Sequence, residues 1–289
     1  MLLDLRPRRS ALYLPASNDK AIVKSRALPA DVVILDLEDA VAPDAKVAAR
    51  GAAVAAAAQA APSSETLIRC NGLDTAWGEE DVRAIASSGA RGMVAPKVSS
   101  ADDVDLYDAR LAEAPGDFAL WVMIETCRSV FALDRIAARA QSTRLAGFII
   151  GTNDLAREMR AKVPGDRTSV LPVLTQAVIA ARAYGLVVLD GVCNEFNAMD
   201  VFEAECRQAV MLGFDGKTLI HPRQIEPCNA VFAPTEAEII WAGRLIEAFG
   251  APENIDKGAI SLDGRMVERL HLEEAHRIQA NVRMISGSH

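Results

Sequence analysis

The 289-residue chain reads as an α/β protein, a (β/α)8 TIM barrel over residues 1–232 followed by a C-terminal helical extension, or lid, over 233–289. Three observations predict this. Short apolar runs alternate with longer amphipathic stretches almost to residue 230, and eight such pairs make a (β/α)8 barrel. The rival architecture, a doubly wound sheet, requires a glycine-rich phosphate loop after an early strand, and the first such loop, "PASNDK", has no glycine. Nearly every apolar run also ends in a polar or charged residue, and in a barrel the C-terminal strand ends share one rim.

The first predicted strand is "ALYLP" (11–15). "VVILDL" (32–37) runs into three acids, Asp36, Glu38 and Asp39, which repel one another and are costly to bury without a positive partner. One of them is expected to reach the site, with Asp39 as the catalytic candidate, and another to pair with Arg or Lys. Residues 45–60 are nearly all alanine, a strong helix former that packs closely on a sheet. "TLIRC" (66–70) then delivers Arg69 and Asn71, "GMVAPK" (92–97) delivers Lys97, and "FALWVMIE" (118–125) delivers Glu125. "LAGFII" (145–150) leads to "GTND" with Asp154, "LVVLD" (186–190) ends in Asp190, and "GKTLI" (216–220) runs into His221. Helices over 170–184 and 198–212 flank the seventh strand. The tail reads as a helix at 235–250, a loop or hairpin in "GAPENIDKGAISLDGR", and a last helix at 265–285. Its apolar content is too small for independent folding, so it is expected to pack on the barrel or on a neighbouring subunit.

Composition narrows the function classes. Hydrophobic residues at 51% and charged residues at 24% suit a soluble globular enzyme. A net charge of −8 with no Lys/Arg-rich run argues against a nucleic-acid surface. No apolar run is long enough to span a bilayer, and "MLLDLRPRRS" lacks the apolar core and cleavage site of a signal peptide. The five cysteines, at 70, 127, 193, 206 and 228, are scattered and form no CxxC pair, which points away from disulfides and zinc clusters and towards a cytoplasmic setting.

The charged strand ends converge on a site for a cation. Glu125 and Asp154 come from adjacent strands, and two carboxylates with water and substrate in the other positions is the usual arrangement for Mg²⁺. Zinc would want His or Cys, and only four histidines exist. Each acid also suits a plain helix-capping role. Arg69 fits a substrate carboxylate with its planar fork, or else pairs with the acids of strand two. Lys97 suits an ion pair with neighbouring acids better than a Schiff base. Cys70 and Cys127 read as packing residues.

Seven ordered stretches, "RSALYLPASNDKAIVKS", "DVVILDLEDAVAPDAKVAAR", "IRCNGLDT", "APKV", "MIET", "GTNDLA" and "GFDGKTLIHPRQI", make the chain resemble the citrate lyase β-subunit-like acyl-CoA lyases of the HpcH/HpaI aldolase superfamily, which include malyl-CoA and citramalyl-CoA lyases. The resemblance covers nearly the whole chain and implies a (β/α)8 barrel with a helical extension, commonly a homotrimer. It implies that Arg69 binds substrate and that Glu125 and Asp154 hold Mg²⁺, with Mn²⁺ as a substitute. Tyr13, Lys20 and Lys24 match positions that contact the CoA thioester, the two lysines standing i and i+4 on the first helix so that both face one way. Ile220 and His221 fall where the family touches substrate. In these lyases a neighbouring subunit's lid supplies a catalytic aspartate in a G-x-M-[IV]-D motif. Here "GRMVERL" puts Glu268 there, which displaces the carboxyl by roughly 1.5 Å, with Asp263 nearby as a substitute. "IETCRSV" replaces the family's commoner "IETAxGV", with larger side chains near the metal that narrow the pocket.

The expected activity is Mg²⁺-dependent, reversible cleavage of a 3-hydroxyacyl-CoA with a distal carboxylate, such as malyl-CoA or citramalyl-CoA, to acetyl-CoA and a 2-oxoacid. The expected partners are these small molecules, with no nucleic acid and no membrane. The alternatives are a citryl-carrier-protein lyase subunit and a catalytically silent protein that binds a CoA ester.

Overall fold

Eight strands close on themselves in sequence order: β1 (Ser10–Pro15), β2 (Val32–Asp36), β3 (Glu65–Arg69), β4 (Gly92–Ala95), β5 (Ala119–Ile124), β6 (Leu145–Ile150), β7 (Val187–Asp190) and β8 (Gly216–Leu219). Every neighbouring pair is parallel, and β8 pairs with β1 to complete a TIM barrel. The computed structural model describes residues 6–59 and 64–287. The end of the alanine-rich helix at Ala60 and the first five residues of "MLLDLRPRRS" therefore lie outside the described residues.

The helices between strands are α1 (Asp19–Ser25), α2 (Lys46–Ala57), α3 (Gly78–Ala86), α4 (Ala101–Arg110), α5 (Cys127–Ala138), α6 (Thr152–Met159), α7 (Leu171–Ala183), α8 (Met199–Leu212) and α9 (Ile225–Phe232). Local chemistry sets their starts. Ser100 and Thr126 close capping boxes with Asp103 and Ser129, so the first orphan amides of α4 and α5 are satisfied. In α2, Ala49, Ala53 and Ala57 lie one turn apart on one buried face.

Strand alternation sorts side chains into two cores. Ala11, Val32, Ile34, Leu67, Trp121 and Leu189 point into the barrel. Leu12, Val33, Leu35, Ile68 and Val188 point outward against the helices. The same rule continues to the strand ends: Asp36 and Arg69 follow the inward set, whereas Asp190 follows inward-facing Leu189 and points out. The base of the barrel is closed by the ion pair of Arg8 Nε with Glu65 Oε2 at 2.5 Å, with the Arg8 guanidinium 5.4 Å from the Trp121 ring centre.

Of the described residues, 6–7 and 233–287 form a second compact unit, apart from the barrel unit that begins at Arg8 and ends at Phe232. It contains α10 (Glu236–Gly250), the antiparallel hairpin β9 (Ala259–Leu262) and β10 (Arg265–Glu268), and α11 (Arg269–Ser286). Its own core is Ala242, Leu245, Phe249, Ile260, Val267 and Ala275. The last helix was expected from residue 265 but begins at Arg269. Asp263 and Gly264 both take positive φ, 53° and 73°, the two-residue turn that "DG" favours, and this turn commits 265–268 to a strand. Among the described residues no helix is long and apolar enough to cross a membrane.

Gly147 makes room for the largest interior side chain: a Cβ there would fall 2.4 Å from the Trp121 ring. The indole is fully buried and cannot retreat. Gly147→Ala is expected to destabilise the barrel by about 1–3 kcal/mol, read as a lower urea midpoint at unchanged slope.

Candidate active site

The site begins with the register of two strands. Asp36 and Arg69 are direct neighbours across the β2–β3 pair. Arg69 Nε donates to Asp36 Oδ1 and Nη2 to Oδ2, both at 2.6 Å, the parallel fork that suits this pair. Arg69 Nη1 lies 2.9 Å from Glu38 Oε2, and the guanidinium stacks 5.0 Å above the Tyr13 ring. Asp36 also accepts from the backbone amides of Glu38 and Ala40 at 2.9 and 3.1 Å. Burial alone would raise the Asp36 carboxyl, but the Arg69 charge and these hydrogen bonds outweigh it and hold the carboxyl below its ordinary range.

Glu38 is also buried, and its Oε1 accepts from Lys97 Nζ. Desolvation raises the Glu38 carboxyl against the opposing pull of Arg69 and Lys97. Lys97 takes φ +53°, a left-handed conformation rare for a lysine, and its backbone amide donates to Glu125 Oε1 at 2.7 Å. One residue thus ties the acid of strand two to the acid of strand five. The acids after β2 divide accordingly: Asp36 pairs with Arg69, Glu38 joins the Lys97 link, and Asp39 stands exposed with its Oδ1 3.9 Å from Lys97 Nζ.

Glu125 is buried, and its second oxygen, Oε2, has no hydrogen-bond partner. Burial is the main reason its carboxyl rises to about 7, and the Glu38 and Asp154 charges add to the shift. Gly151 lets the carboxylate lie where it does, since a Cβ at 151 would fall 2.4 Å from Glu125 Oε2. Asp154 follows in the first turn of α6 and accepts from Arg157 Nη2 at 2.5 Å. Neither acid caps a helix: Thr126 caps α5, and α6 begins at Gly151 without a side-chain cap.

The donor set fits Mg²⁺. It is all oxygen, it couples two carboxylates from neighbouring strands, and one oxygen is buried without a partner, a cost that a cation removes. Among the described residues no group of three His, Cys, Asp or Glu converges as a metal cluster, so a zinc-type set is missing. Two carboxylates leave the remaining positions of an octahedral ion to water and substrate.

Other sequence candidates are placed differently. Asp190 was grouped with the rim residues, but it sits outside the barrel, where Arg167 Nη1 at 2.6 Å and Lys217 Nζ at 2.8 Å neutralise it, all three buried. Asn71 is likewise consumed, its amide donating to buried Asp81 at 2.6 Å. The Arg69 fork, read as a grip for substrate, is closed on Asp36; of its five N–H bonds three remain, all on the terminal nitrogens, and Nη1 already lies 2.9 Å from Glu38 Oε2 and 3.5 Å from Met123 Sδ. Lys20 and Lys24 are exposed on α1. His221 Nδ1 accepts from the Arg223 amide at 3.1 Å, its ring stacks on Phe196 with centres 5.5 Å apart, and Ile220 beside it is 41% exposed. Glu268, in the second unit, donates its backbone amide to His271 Nδ1 at 3.0 Å, and Asp263 accepts from Arg244 at 2.5 Å. Cys70 is buried with its thiol raised by desolvation, which suits packing and not nucleophilic attack. Gly151 and the orphan oxygen of Glu125 carried no signal in the sequence, because both depend on how one strand end overlies another.

The barrel, its acidic rim and the ordered motifs agree with the family comparison: residues 9–222 match the model of the HpcH/HpaI aldolase/citrate lyase family. The chain belongs to that family. A (3S)-malyl-CoA thioesterase of Cereibacter sphaeroides is 42% identical, over 97% of this chain and 96% of its own. The citrate lyase subunit beta of Escherichia coli is 33% identical, over 94% and 92%. A crystal structure of CitE from Mycobacterium tuberculosis, in complex with magnesium, acetoacetate and coenzyme A, superposes with a TM-score of 0.77 at 29% identity, over 96% of this chain and 98% of that one.

At Glu125 a bound cation would compete with a proton. With its carboxyl raised to about 7, the metal-free fold holds it neutral below that pH, so the stability it contributes is lost as pH rises through 7. Mg²⁺ affinity is expected to run the other way, falling up to about tenfold per unit as pH drops below 7, with a proton released on binding. Calorimetry in buffers of different ionisation enthalpy reads both, and Glu125→Gln is expected to remove the pH dependence together with most of the affinity.

Proposed function

We propose that the chain is a Mg²⁺-dependent carbon–carbon lyase that cleaves, or in reverse forms, a malyl-CoA-type 3-hydroxyacyl-CoA, with acetyl-CoA and a 2-oxoacid as the other side of the reaction. The observation that carries this reading is the buried oxygen of Glu125 left without a partner, in the field of the Asp154 charge and near a guanidinium held rigid by Asp36. A bound Mg²⁺ would supply Lewis-acid polarisation of the oxoacid oxygen at the breaking bond. Glu125 and Asp154 would hold the ion, and the Lys97 amide keeps the Glu125 carboxylate turned to receive it. Arg69, fixed by its fork, presents its remaining N–H bonds to the oxoacid carboxylate or to the enolate oxygen without reorganising. Tyr13 supports the guanidinium from below. Lys20 and Lys24 would meet the CoA phosphates, and Ile220 and His221 the body of the substrate. Glu268 is assigned the proton transfer between hydroxyl and enolate carbon, from the lid of a neighbouring copy in a cytoplasmic homotrimer. Asp39, the exposed carboxylate after β2, stands as its reserve.

A second reading is hydrolysis of the same thioester, favoured by the 42%-identical relative that bears the name (3S)-malyl-CoA thioesterase. Against a covalent route to it, the buried Cys70 thiol is held protonated and so is no nucleophile.

Product analysis separates the two. With malyl-CoA and Mg²⁺, the lyase releases acetyl-CoA and glyoxylate, whereas a hydrolase releases free CoA and malate. EDTA is expected to abolish turnover, and turnover that survives it would sink the mechanism. Glu268→Gln is expected to lower kcat by about 10²–10⁴ with little change in KM, since the carboxyl acts on the proton and not on binding.

A further inference from the structure

A cleft of about 610 Å³ opens on the outside of the barrel between the start of α4 and the outer face of α5. Its walls include Ser99, Ser100 and Asp102 on one side, and Arg128, Phe131 and Arg135 on the other, with Arg139 at the end. These α5 residues form one stripe: Phe131 lies one turn after Arg128 and one turn before Arg135. The two guanidiniums are thus about 10 Å apart along the axis, with an aromatic face between them.

Three features set this surface apart. Phe131 is 91% exposed, an unusual position for a phenylalanine. Arg128 and Arg135 make no hydrogen bond or ion pair among the described residues, although most other arginines on this acidic chain are engaged. Arg139 is anchored to Asp105 at 2.9 Å, yet its Nε is buried without a hydrogen-bond partner. The cleft therefore sets three guanidiniums against Asp102 and the Asp105 that holds Arg139, and leaves Arg128 and Arg135 without a direct partner on either side of a bare ring.

We infer that this cleft binds a nucleotide carrying a diphosphate, at a site separate from the barrel mouth. The guanidiniums of Arg128 and Arg135 match phosphate oxygens in their fork geometry. Phe131 offers the flat apolar face on which a base stacks. Asp102 supplies the acceptor that sugar hydroxyls or a base amino group require. A plain inorganic anion would fill little of the volume and leave Phe131 unused, and 610 Å³ lies within the usual range of small-molecule pockets.

The test is calorimetric titration of the full chain with ADP at low salt without Mg²⁺, beside adenosine alone and pyrophosphate alone. Lys20→Ala/Lys24→Ala serves as a background that removes any binding by the α1 lysines. Expected is saturable one-site binding with Kd below about 1 mM, retained in that background. Arg128→Ala/Arg135→Ala and Phe131→Ala, all at exposed positions that leave the fold intact, are each expected to weaken it at least tenfold. Adenosine and pyrophosphate are expected to bind more weakly than ADP. The inference is overturned by any of four results: no saturation, equal affinity in the arginine variant, loss of binding in the lysine variant, or pyrophosphate binding as tightly as ADP. It is also overturned if sedimentation shows a self-associated form that Phe131→Ser dissociates, because the ring then belongs to an interface between copies of the chain.

Discussion

The inside of a small barrel admits charge only in pairs, and the pair formed by Asp36 and Arg69 is the one around which the mouth of this barrel is built. An isolated buried carboxylate or guanidinium costs several kcal/mol, and removing one partner of a buried pair typically costs 3–5 kcal/mol. The strand register makes the pair compulsory: the two residues are direct neighbours across β2 and β3, and both point inward. The guanidinium cannot leave without stranding Asp36, so its position at the mouth is as fixed as a backbone atom.

From that pair a chain of contacts runs across the rim. Arg69 reaches Glu38, Glu38 reaches Lys97, and the Lys97 amide reaches Glu125. Each link brings a cation or an amide up to a carboxylate oxygen. The sequence of contacts ends at Glu125 Oε2, buried and bare. The left-handed conformation of Lys97 is the geometric means, since it turns the amide onto Glu125 while the side chain crosses back to Glu38. A charge deficit is thus delivered to the one place where a cation and a keto acid would meet.

Much of this was legible beforehand because barrels obey simple periods. All eight strands lie within two residues of the apolar runs that predicted them, and the polar residues at their ends include Arg69, Lys97, Glu125 and Asp154. The errors have one cause. Asp190 looks equivalent to Asp36 in the sequence, an acid closing an apolar run, but it lies one position out of phase with the interior and so faces Lys217 and Arg167 in the helix layer. A single residue of phase reverses the face of the strand, and a continuous apolar run such as "LVVLD" hides the phase because both faces are buried. The start of the last helix was misplaced for a related reason: apolar periodicity continues through "RMVERL", while the Asp-Gly turn before it commits the segment to a hairpin.

The sequence by itself determined the alternation of strands and helices, the family, and the inventory of acids and bases available at the rim, because these follow from local periodicity and from residue types in order. Only the tertiary structure decided which acid meets which base: that Asp36 takes the fork of Arg69, that Lys97 bridges Glu38 and Glu125, and that Gly151 clears the space over Glu125. Those choices rest on distances of a few ångströms between strands that are tens of residues apart in the chain. Electrostatic energy depends on such distances, and they exist only once the barrel has closed.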